Sequence, residues 1–169
     1  MSPAPCMTVI NTSPTIHLHA VLPGGLGSLA GLIGEVIVPW EVGQELAAGH
    51  AKDATWQGVQ SLSGILHRSH RVAVHPLLSA QIDMAEAAVI QTALDEAHDA
   101  VILDDLKARR IAQTIGLQVT GTLGIPVGFP STRVSGSRSS TATCRAIFSR
   151  SSISCGTVPG PLSHSSGSP

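Results

Sequence analysis

The chain has 169 residues, of which 43% are hydrophobic and only 2% aromatic, and its formal net charge is −1. This length and content suffice for one domain whose core is built from Ala, Val, Leu and Ile. A charge so close to zero does not point to a nucleic-acid or membrane partner, and three cysteines without a short paired spacing provide neither a disulfide framework nor a zinc site.

Short apolar runs alternate with helical patterns in the first part of the chain. The run that follows the first apolar segment has Asn11 or Thr12 as its cap and Pro14 in its first turn, where proline is tolerated in a helix. The predicted elements are a strand at 7–10, a helix at 12–21, a helix at 26–33, a strand at 35–38, a helix from Pro39 to about Ala48, and a weaker helix at 55–66.

The second part of the chain contains the clearest helix, from Asp83 to His98. Its apolar residues recur at helical spacing, and Asp83 with Glu86 three residues later predicts a capping box. The other predicted elements are a short strand or extended segment at 71–75, a strand at 100–103, a helix at 106–116 and a last strand at 117–120. Strands that alternate with helices predict a parallel sheet of βαβ units, which is the α/β class.

The character of the chain changes near residue 130. Before it stand 11 acidic and 6 basic residues, a balance of −5, whereas the remainder carries four arginines and no acid, a balance of +4. Ser, Thr, Gly, Pro and Arg then dominate without any helical period, which is typical of disorder. We therefore expect a disordered leader at 1–6, one domain at 7–128, and a Ser/Arg/Pro-rich tail at 129–169 that is disordered or the product of a frameshift.

The sequence gives no indication of targeting or of membrane insertion. The first residues lack the basic and apolar regions of a signal peptide, and no stretch approaches the roughly 18 apolar residues that cross a bilayer. Unpaired cysteines are typical of a reducing compartment. We therefore expect a cytoplasmic protein without a membrane partner.

Polar side chains follow three of the predicted strands. The apolar strand at 100–103 ends in the adjacent carboxylates Asp104 and Asp105. Asn11 follows the first strand, and the helix after the second strand carries Glu45. In open α/β sheets ligands bind outside the carboxyl ends of the strands, and oxygen donors gathered there suit a hard cation such as Mg²⁺ or Mn²⁺. The pattern indicates metal-assisted phosphodiester chemistry.

Each of these residues also has a structural interpretation. Asp104 and Asp105 are favoured N-caps of the helix that follows them, and Asn11 is a favoured turn or cap residue. Glu45 is of a type common on solvated helix faces, and Asp83 with Glu86 fits a capping box. Three cations at the start of the next helix would hold flanking phosphates or form a solvated polar face; they are Lys107, Arg109 and Arg110.

Taken in chain order, six short motifs resemble the PIN-domain superfamily, in particular an uncharacterised bacterial branch related to the VapC-type toxins. The motifs are Val9-Ile10-Asn11-Thr12-Ser13-Pro14, Gly34-Glu35-Val36-Ile37-Val38-Pro39, Glu45-Leu46, Asp83-Met84-Ala85-Glu86-Ala87, Leu103-Asp104-Asp105-Leu106-Lys107-Ala108-Arg109 and Thr120-Gly121-Thr122-Leu123-Gly124. The resemblance implies a three-layer α/β/α sandwich with a central parallel sheet. It also implies a metal-dependent ribonuclease that leaves a 5′-phosphate.

The resemblance further implies roles for individual residues and for partners. Catalytic roles are implied for Glu45, Glu86 and Asp104, and ligation of Mg²⁺ or Mn²⁺ for Asn11, Glu45, Glu86, Asp104 and Asp105. Contact with the substrate is implied for Thr12, Ser13, Lys107 and Arg109. The expected partners are RNA, an antitoxin protein and a second copy of the chain in a homodimer.

The chain departs from the family pattern in three places. Asn11 stands where nucleases of the superfamily usually have Asp, and a neutral ligand should weaken cation binding. Ala85 replaces a Gly, and after Gly124 the serine-arginine tail replaces a basic helix. We predict a metal-dependent endoribonuclease, the toxin of a toxin–antitoxin pair. The alternative is a catalytically weak or inactive PIN-fold module that binds a protein partner, from a truncated or frameshifted gene.

Overall fold

The computed structural model describes residues 7–22, 24–49, 55–98 and 100–125. The expected leader at 1–6 and the expected tail at 129–169 lie outside these residues, so the predicted division of the chain stays a prediction.

Five parallel strands form the central sheet, in the order β3-β2-β1-β4-β5. Val9 in the central strand lies opposite Ile37 on one side and Val101 on the other. Such apolar runs suit a parallel sheet, because helices cover both of its faces. The strands are β1 (Met7–Ile10), β2 (Glu35–Val38), β3 (Ile65–His67), β4 (Ala100–Ile102) and β5 (Gln118–Thr120).

Seven helices flank the sheet in the described ranges, and the predicted α/β/α sandwich is confirmed. They are α1 (Thr12–Val21), α2 (Gly25–Ile33), α3 (Trp40–Gly49), α4 (Thr55–Gln60), α5 (Pro76–Ser79), α6 (Met84–Asp95) and α7 (Leu106–Thr114). The core between these layers is aliphatic, as the composition predicts, and Ile10, Ile37, Ile102 and Leu103 are fully buried in it. Trp56 packs edge-on against His67, with ring centroids 5.0 Å apart.

The region between residues 55 and 80 differs from the sequence-based prediction. The helix predicted at 55–66 ends at Gln60, and the third strand lies at 65–67 rather than at 71–75. Gly64 explains the break, because its φ of +81° is a conformation that other residues rarely adopt. The backbone at 71–75 pairs with a side chain instead of a strand, since the Val72 N–H donates to Glu41 Oε1 at 2.9 Å. The helix α5 was not predicted.

The remaining elements lie where the sequence predicts them, within a few residues. The capping box of Asp83 and Glu86 is present at the start of α6. Gly116, with φ of +94°, follows α7 and allows the chain to turn into β5. Across the described ranges no single helix is long and apolar enough to span a membrane, although the bent pair α1 and α2 meets that requirement by length and composition alone.

Glu96 ties the end of α6 to the segment after β3. Its two carboxylate oxygens accept hydrogen bonds from the Arg68 guanidinium, with Arg68 Nε 2.7 Å from Oε1, and His98 Nε2 lies 2.9 Å from Oε2. The bonds from Arg68 lower the pKa of Glu96 below its ordinary value, although burial acts in the opposite direction. This bidentate pair is therefore favoured in its ionised form.

We expect Glu96→Gln to lower the free energy of unfolding by about 1 kcal/mol near neutral pH. Because folding lowers the pKa of Glu96 from 4.5, its contribution is complete above that value and disappears as the pH falls through the folded-state pKa. Urea unfolding should separate the variant from the wild type at about pH 7, and the difference should shrink as the pH falls below 4.5. Asp95→Asn, at an exposed neighbour, is the matched control, and a difference that persists in acid would contradict the assignment.

Candidate functional site

The candidate site lies where the order of the strands reverses direction. The chain builds β2 and β3 on one side of β1, and it then crosses to add β4 and β5 on the other side. The carboxyl ends of β1 and β4 therefore lie next to each other, and the Asn11 N–H donates to the Ile102 carbonyl at 3.1 Å. Crevices at such reversal points are where open α/β sheets bind ligands.

Asn11 follows β1 at this reversal point. The residue is 7% exposed, and its main-chain carbonyl accepts a hydrogen bond from Thr15 Oγ1 at 2.7 Å. The side-chain oxygen Oδ1 is buried and has no hydrogen-bond partner among the described residues. A buried polar atom without a partner costs about 1–3 kcal/mol, so this oxygen requires an explanation such as a ligand.

Carboxylates gather beside this crevice at the starts of α6 and α7. Burial raises the pKa of Glu86, and the nearby charge of Asp105 raises it further. The charges of Asp83 and Glu45 add to the increase, whereas the hydrogen bond from the Asp83 N–H, 3.3 Å from Glu86 Oε2, opposes it. We call the adjoining cleft of about 390 Å³ the acidic cleft; it is lined by residues 79–82, Asp83, Glu86, Asp105 and Lys107.

Asp105 has two roles in this geometry. Its Oδ1 accepts a hydrogen bond from the Ala108 N–H at 2.8 Å, so it is the N-cap of α7 and the structural interpretation is correct for this residue. Its side chain also lines the acidic cleft with Glu86. Glu45, which is exposed on α3, accepts a hydrogen bond from Thr12 Oγ1 at 2.6 Å. Ser13 is exposed on the first turn of α1.

Asp104 is placed differently from Asp105. Its Oδ1 accepts from the Thr122 N–H and its Oδ2 from Thr122 Oγ1, both at 2.7 Å. His17 Nδ1 lies 3.7 Å from Oδ2. A second cleft of about 800 Å³ adjoins Asp104, and we call it the arginine cleft; it is lined by His17, Val21, Asp104, Arg109 and residues 120–124. Asp104 and Asp105 therefore serve different clefts.

The three candidate cations are also separated by the fold. Lys107 lines the acidic cleft, and Arg109 lines the arginine cleft. Arg110 lines neither of them and instead borders an apolar groove with Leu77, Leu94 and Ile115. The sequence-based prediction gave no role to Thr122 or His17. The only signal for Thr122 was its place in the motif at 120–124.

The residues that follow β1 and line the acidic cleft match a hard cation in donor type. They offer carboxylate oxygens and the unpartnered Asn11 Oδ1, which are ligands that Mg²⁺ and Mn²⁺ accept. As placed in the described parts of the chain, no three His, Cys, Asp or Glu side chains form a group that could hold a metal ion. The predicted ligands are thus only partly brought together, with Glu86 and Asp105 on one cleft and Asp104 bonded to Thr122.

Comparisons with known proteins identify the family of the chain. A family model described as a PIN domain matches residues 7–129 of the chain. Among solved structures, a PilT N-terminus domain protein from the hyperthermophilic archaeon Sulfolobus solfataricus P2 is similar, with 15% sequence identity, a TM-score of 0.47 and coverage of 78% of this chain and 99% of that chain. No curated protein matches the sequence. The family match spans all five strands and the residues of both clefts.

Proposed function

The chain belongs to the PIN-domain family, and on this premise we propose that it is a metal-dependent endoribonuclease whose reaction takes place at the acidic cleft. The observation that carries the proposal is the environment of Glu86, where burial and then the nearby charges of Asp105, Asp83 and Glu45 raise the pKa of its carboxyl. Like charges brought this close repel each other, so the arrangement favours a bound cation. PIN domains generally use a divalent metal, and Mg²⁺ or Mn²⁺ is the proposed cofactor.

The cation would be held by Asn11, Glu45, Glu86 and Asp105. When bound, it supplies positive charge that polarises a phosphoryl oxygen and lowers the pKa of the attacking water. The chain itself supplies Lys107, which lines the same cleft and favours the phosphate of the substrate. Thr12, which follows β1, donates a 2.6 Å hydrogen bond to Glu45 Oε2. This bond orients the Glu45 carboxylate without the help of a ligand.

Asp104 takes a positioning role in this proposal. The Thr122 N–H and hydroxyl engage both of its oxygens, so it fixes the turn after β5. The sequence-based assignment of Asp104 as a catalytic residue and metal ligand stays a prediction. Cleavage by Asp104→Asn and by Asp105→Asn distinguishes that assignment from a positioning role.

The biological setting is part of the same proposal. An RNA substrate, an antitoxin partner, a homodimer, a toxin role and a cytoplasmic location are supported by the resemblance to the VapC-type branch.

The second candidate function is a PIN-fold module that binds a protein and cuts nothing. Two observations favour it. Asn11 offers a neutral oxygen where a carboxylate would bind a cation more strongly. The apolar groove beside Arg110 also leaves Leu77 68% exposed and Leu94 44% exposed, and exposed apolar side chains that line one groove are a common feature of docking surfaces.

Replacing the neutral Asn11 by a carboxylate tests whether a cation binds at this position. In EDTA, Asn11→Asp should lower the melting temperature, because it puts a charge in place of a buried amide. With Mn²⁺ the same variant should gain more stability than the wild type, and at about 100 times the dissociation constant a cation adds about 2.7 kcal/mol. Thermal melting with and without Mn²⁺ measures both effects.

Gln44→Glu is the matched control, since it makes the same amide-to-carboxylate change at an exposed position next to Glu45. We expect its Mn²⁺-induced shift to equal that of the wild type. If Mn²⁺ stabilises neither the wild type nor Asn11→Asp, the second candidate function replaces the first.

A further inference from the structure

Arg109 presents an unpaired cation to the arginine cleft. Its Nε is buried and has no hydrogen-bond partner, and no carboxylate of the described residues forms an ion pair with it. Its Nη1 is close to Gly121, where it would lie 3.5 Å from an added Cβ. A guanidinium carries five donors in a planar fork that matches phosphate, so a buried and unsatisfied Nε calls for an anionic ligand.

The rest of the cleft is suited to an apolar group of the same ligand. Leu123 is 85% exposed and Val21 is 64% exposed, and both line the cleft. The volume of about 800 Å³ is within the range of cavities that hold small organic ligands. Thr122 already donates to both oxygens of Asp104, the carboxylate in this cleft. Arg109 and the two exposed apolar side chains therefore fit a ligand with one anionic end and one flat apolar end, as a nucleotide has.

The position of the cleft connects it to the proposed reaction. Asp104 lines the arginine cleft and Asp105 lines the acidic cleft, and adjacent Cα atoms are only about 3.8 Å apart. A strand that crosses the end of β4 would therefore occupy both clefts with neighbouring nucleotides. The two hydrogen bonds that Thr122 donates to Asp104 hold the wall of the cleft in place.

We propose that the arginine cleft binds an unpaired nucleotide of the RNA strand, adjacent to the nucleotide that is cut. Arg109 binds its phosphate, and the base lies against Leu123 and Val21. The inference rests on the proposed function for its choice of RNA, and it specifies a single-stranded substrate. Because the bases of a duplex are already paired and stacked, double-stranded RNA should bind much less tightly.

The test measures binding without cleavage. Fluorescence anisotropy in EDTA follows a fluorescein-labelled uridine oligonucleotide bound to the full chain. We expect Arg109→Gln to weaken binding about tenfold, as for the loss of one charged hydrogen-bonding contact, and to reduce the salt slope of log K by about 1. Arg110→Gln makes the same change of charge one residue away, outside the cleft, and should leave both quantities unchanged.

A second pair of variants avoids any question about folding. Leu123→Asp places a carboxylate on the rim of the arginine cleft at an exposed position, and we expect binding to weaken at least tenfold. Leu77→Asp makes the same substitution at a leucine that is 68% exposed in the apolar groove and should bind RNA as the wild type does. Melting temperatures establish that all four variants are folded.

The outcomes separate this inference from the function on which it rests. Equal binding by Arg109→Gln and Arg110→Gln, equal binding by the two aspartate variants, or preference for a duplex would overturn the nucleotide site even if the wild type cleaves RNA. Binding that responds as expected in a protein that never cleaves RNA with Mn²⁺ would keep the nucleotide site and overturn the proposed nuclease. Absence of RNA binding by the wild type overturns the nucleotide site.

Discussion

Asp105→Asn should reduce metal-dependent RNA cleavage by about 100-fold or more while leaving the fold intact, because it removes a carboxylate of the proposed cation site. Asparagine is as good an N-cap as aspartate, so it can still accept the Ala108 N–H that Asp105 accepts at 2.8 Å. The substitution therefore separates the two roles of this residue. Only the charge that crowds Glu86 is lost.

Initial cleavage rates at saturating Mn²⁺, together with thermal melts in EDTA, measure this effect. We expect the melting temperature of the variant in EDTA to be close to that of the wild type or slightly higher, because a repulsive charge near Glu86 has gone. Asp95→Asn, far along α6 from the acidic cleft, is the matched control for activity. Wild-type cleavage by Asp105→Asn would show that its carboxylate is not required.

Asp104→Asn should have the opposite profile. It should lower the free energy of unfolding by about 1–3 kcal/mol, because an amide has one acceptor oxygen and leaves one Thr122 donor without a partner. Cleavage at saturating RNA should persist below the melting temperature, because the variant keeps the carboxylates of the acidic cleft. The effect comes from the turn after β5 and not from the acidic cleft, which Asp104 does not line.

Urea unfolding of Asp104→Asn beside Thr122→Val checks the origin of this loss. The valine variant removes the hydroxyl donor at 2.7 Å but retains the backbone N–H, so it should lose less stability than Asp104→Asn. The double variant should then lose less than the sum of the two single losses, since both substitutions break the same bond. Strictly additive losses of stability would contradict the hydrogen bond between Asp104 and the Thr122 hydroxyl.

Hydrophobic runs were sufficient to place most of the fold from sequence. The runs that became β1, β2 and β4 are short, apolar and bounded by turn or cap residues, and their burial on both faces removes any competing periodicity. The capping box of Asp83 and Glu86 identified the start of α6 because both halves of that interaction are local in sequence.

The third strand could not be placed from sequence for a physical reason. It has three residues, and within the described part of the chain it pairs with β2 alone, at the edge of the sheet. The sequence pattern of β3 is too short to be distinguished from the helical pattern before it. The apolar residues 72–74 are more typical of a strand, so the prediction placed the strand there. Contacts distant in sequence decided the outcome, including the Glu41 side chain that accepts the Val72 N–H.

The candidate site shows a similar division. Chain order alone predicts that Asn11, Glu45, Glu86 and the pair after β4 come to one edge of the sheet. It cannot predict which carboxylate of the pair joins Glu86, because successive side chains in extended backbone point in opposite directions and a shift of one residue exchanges them. In the structure Thr122 donates to Asp104, which leaves Asp105 to line the acidic cleft with Glu86. These two residues, Thr122 and Asp104, are 18 positions apart in the sequence.

The most direct test of the account is RNA cleavage by the purified wild type beside Asp104→Asn and Asp105→Asn, with Mn²⁺ and with EDTA. We expect the wild type and Asp104→Asn to cut single-stranded RNA only with the metal, and Asp105→Asn not to cut. If Asp104→Asn is inactive and Asp105→Asn is active, the roles of the two carboxylates are exchanged. If a wild type that melts cooperatively cuts nothing with Mn²⁺, the central claim is contradicted and a binding module remains.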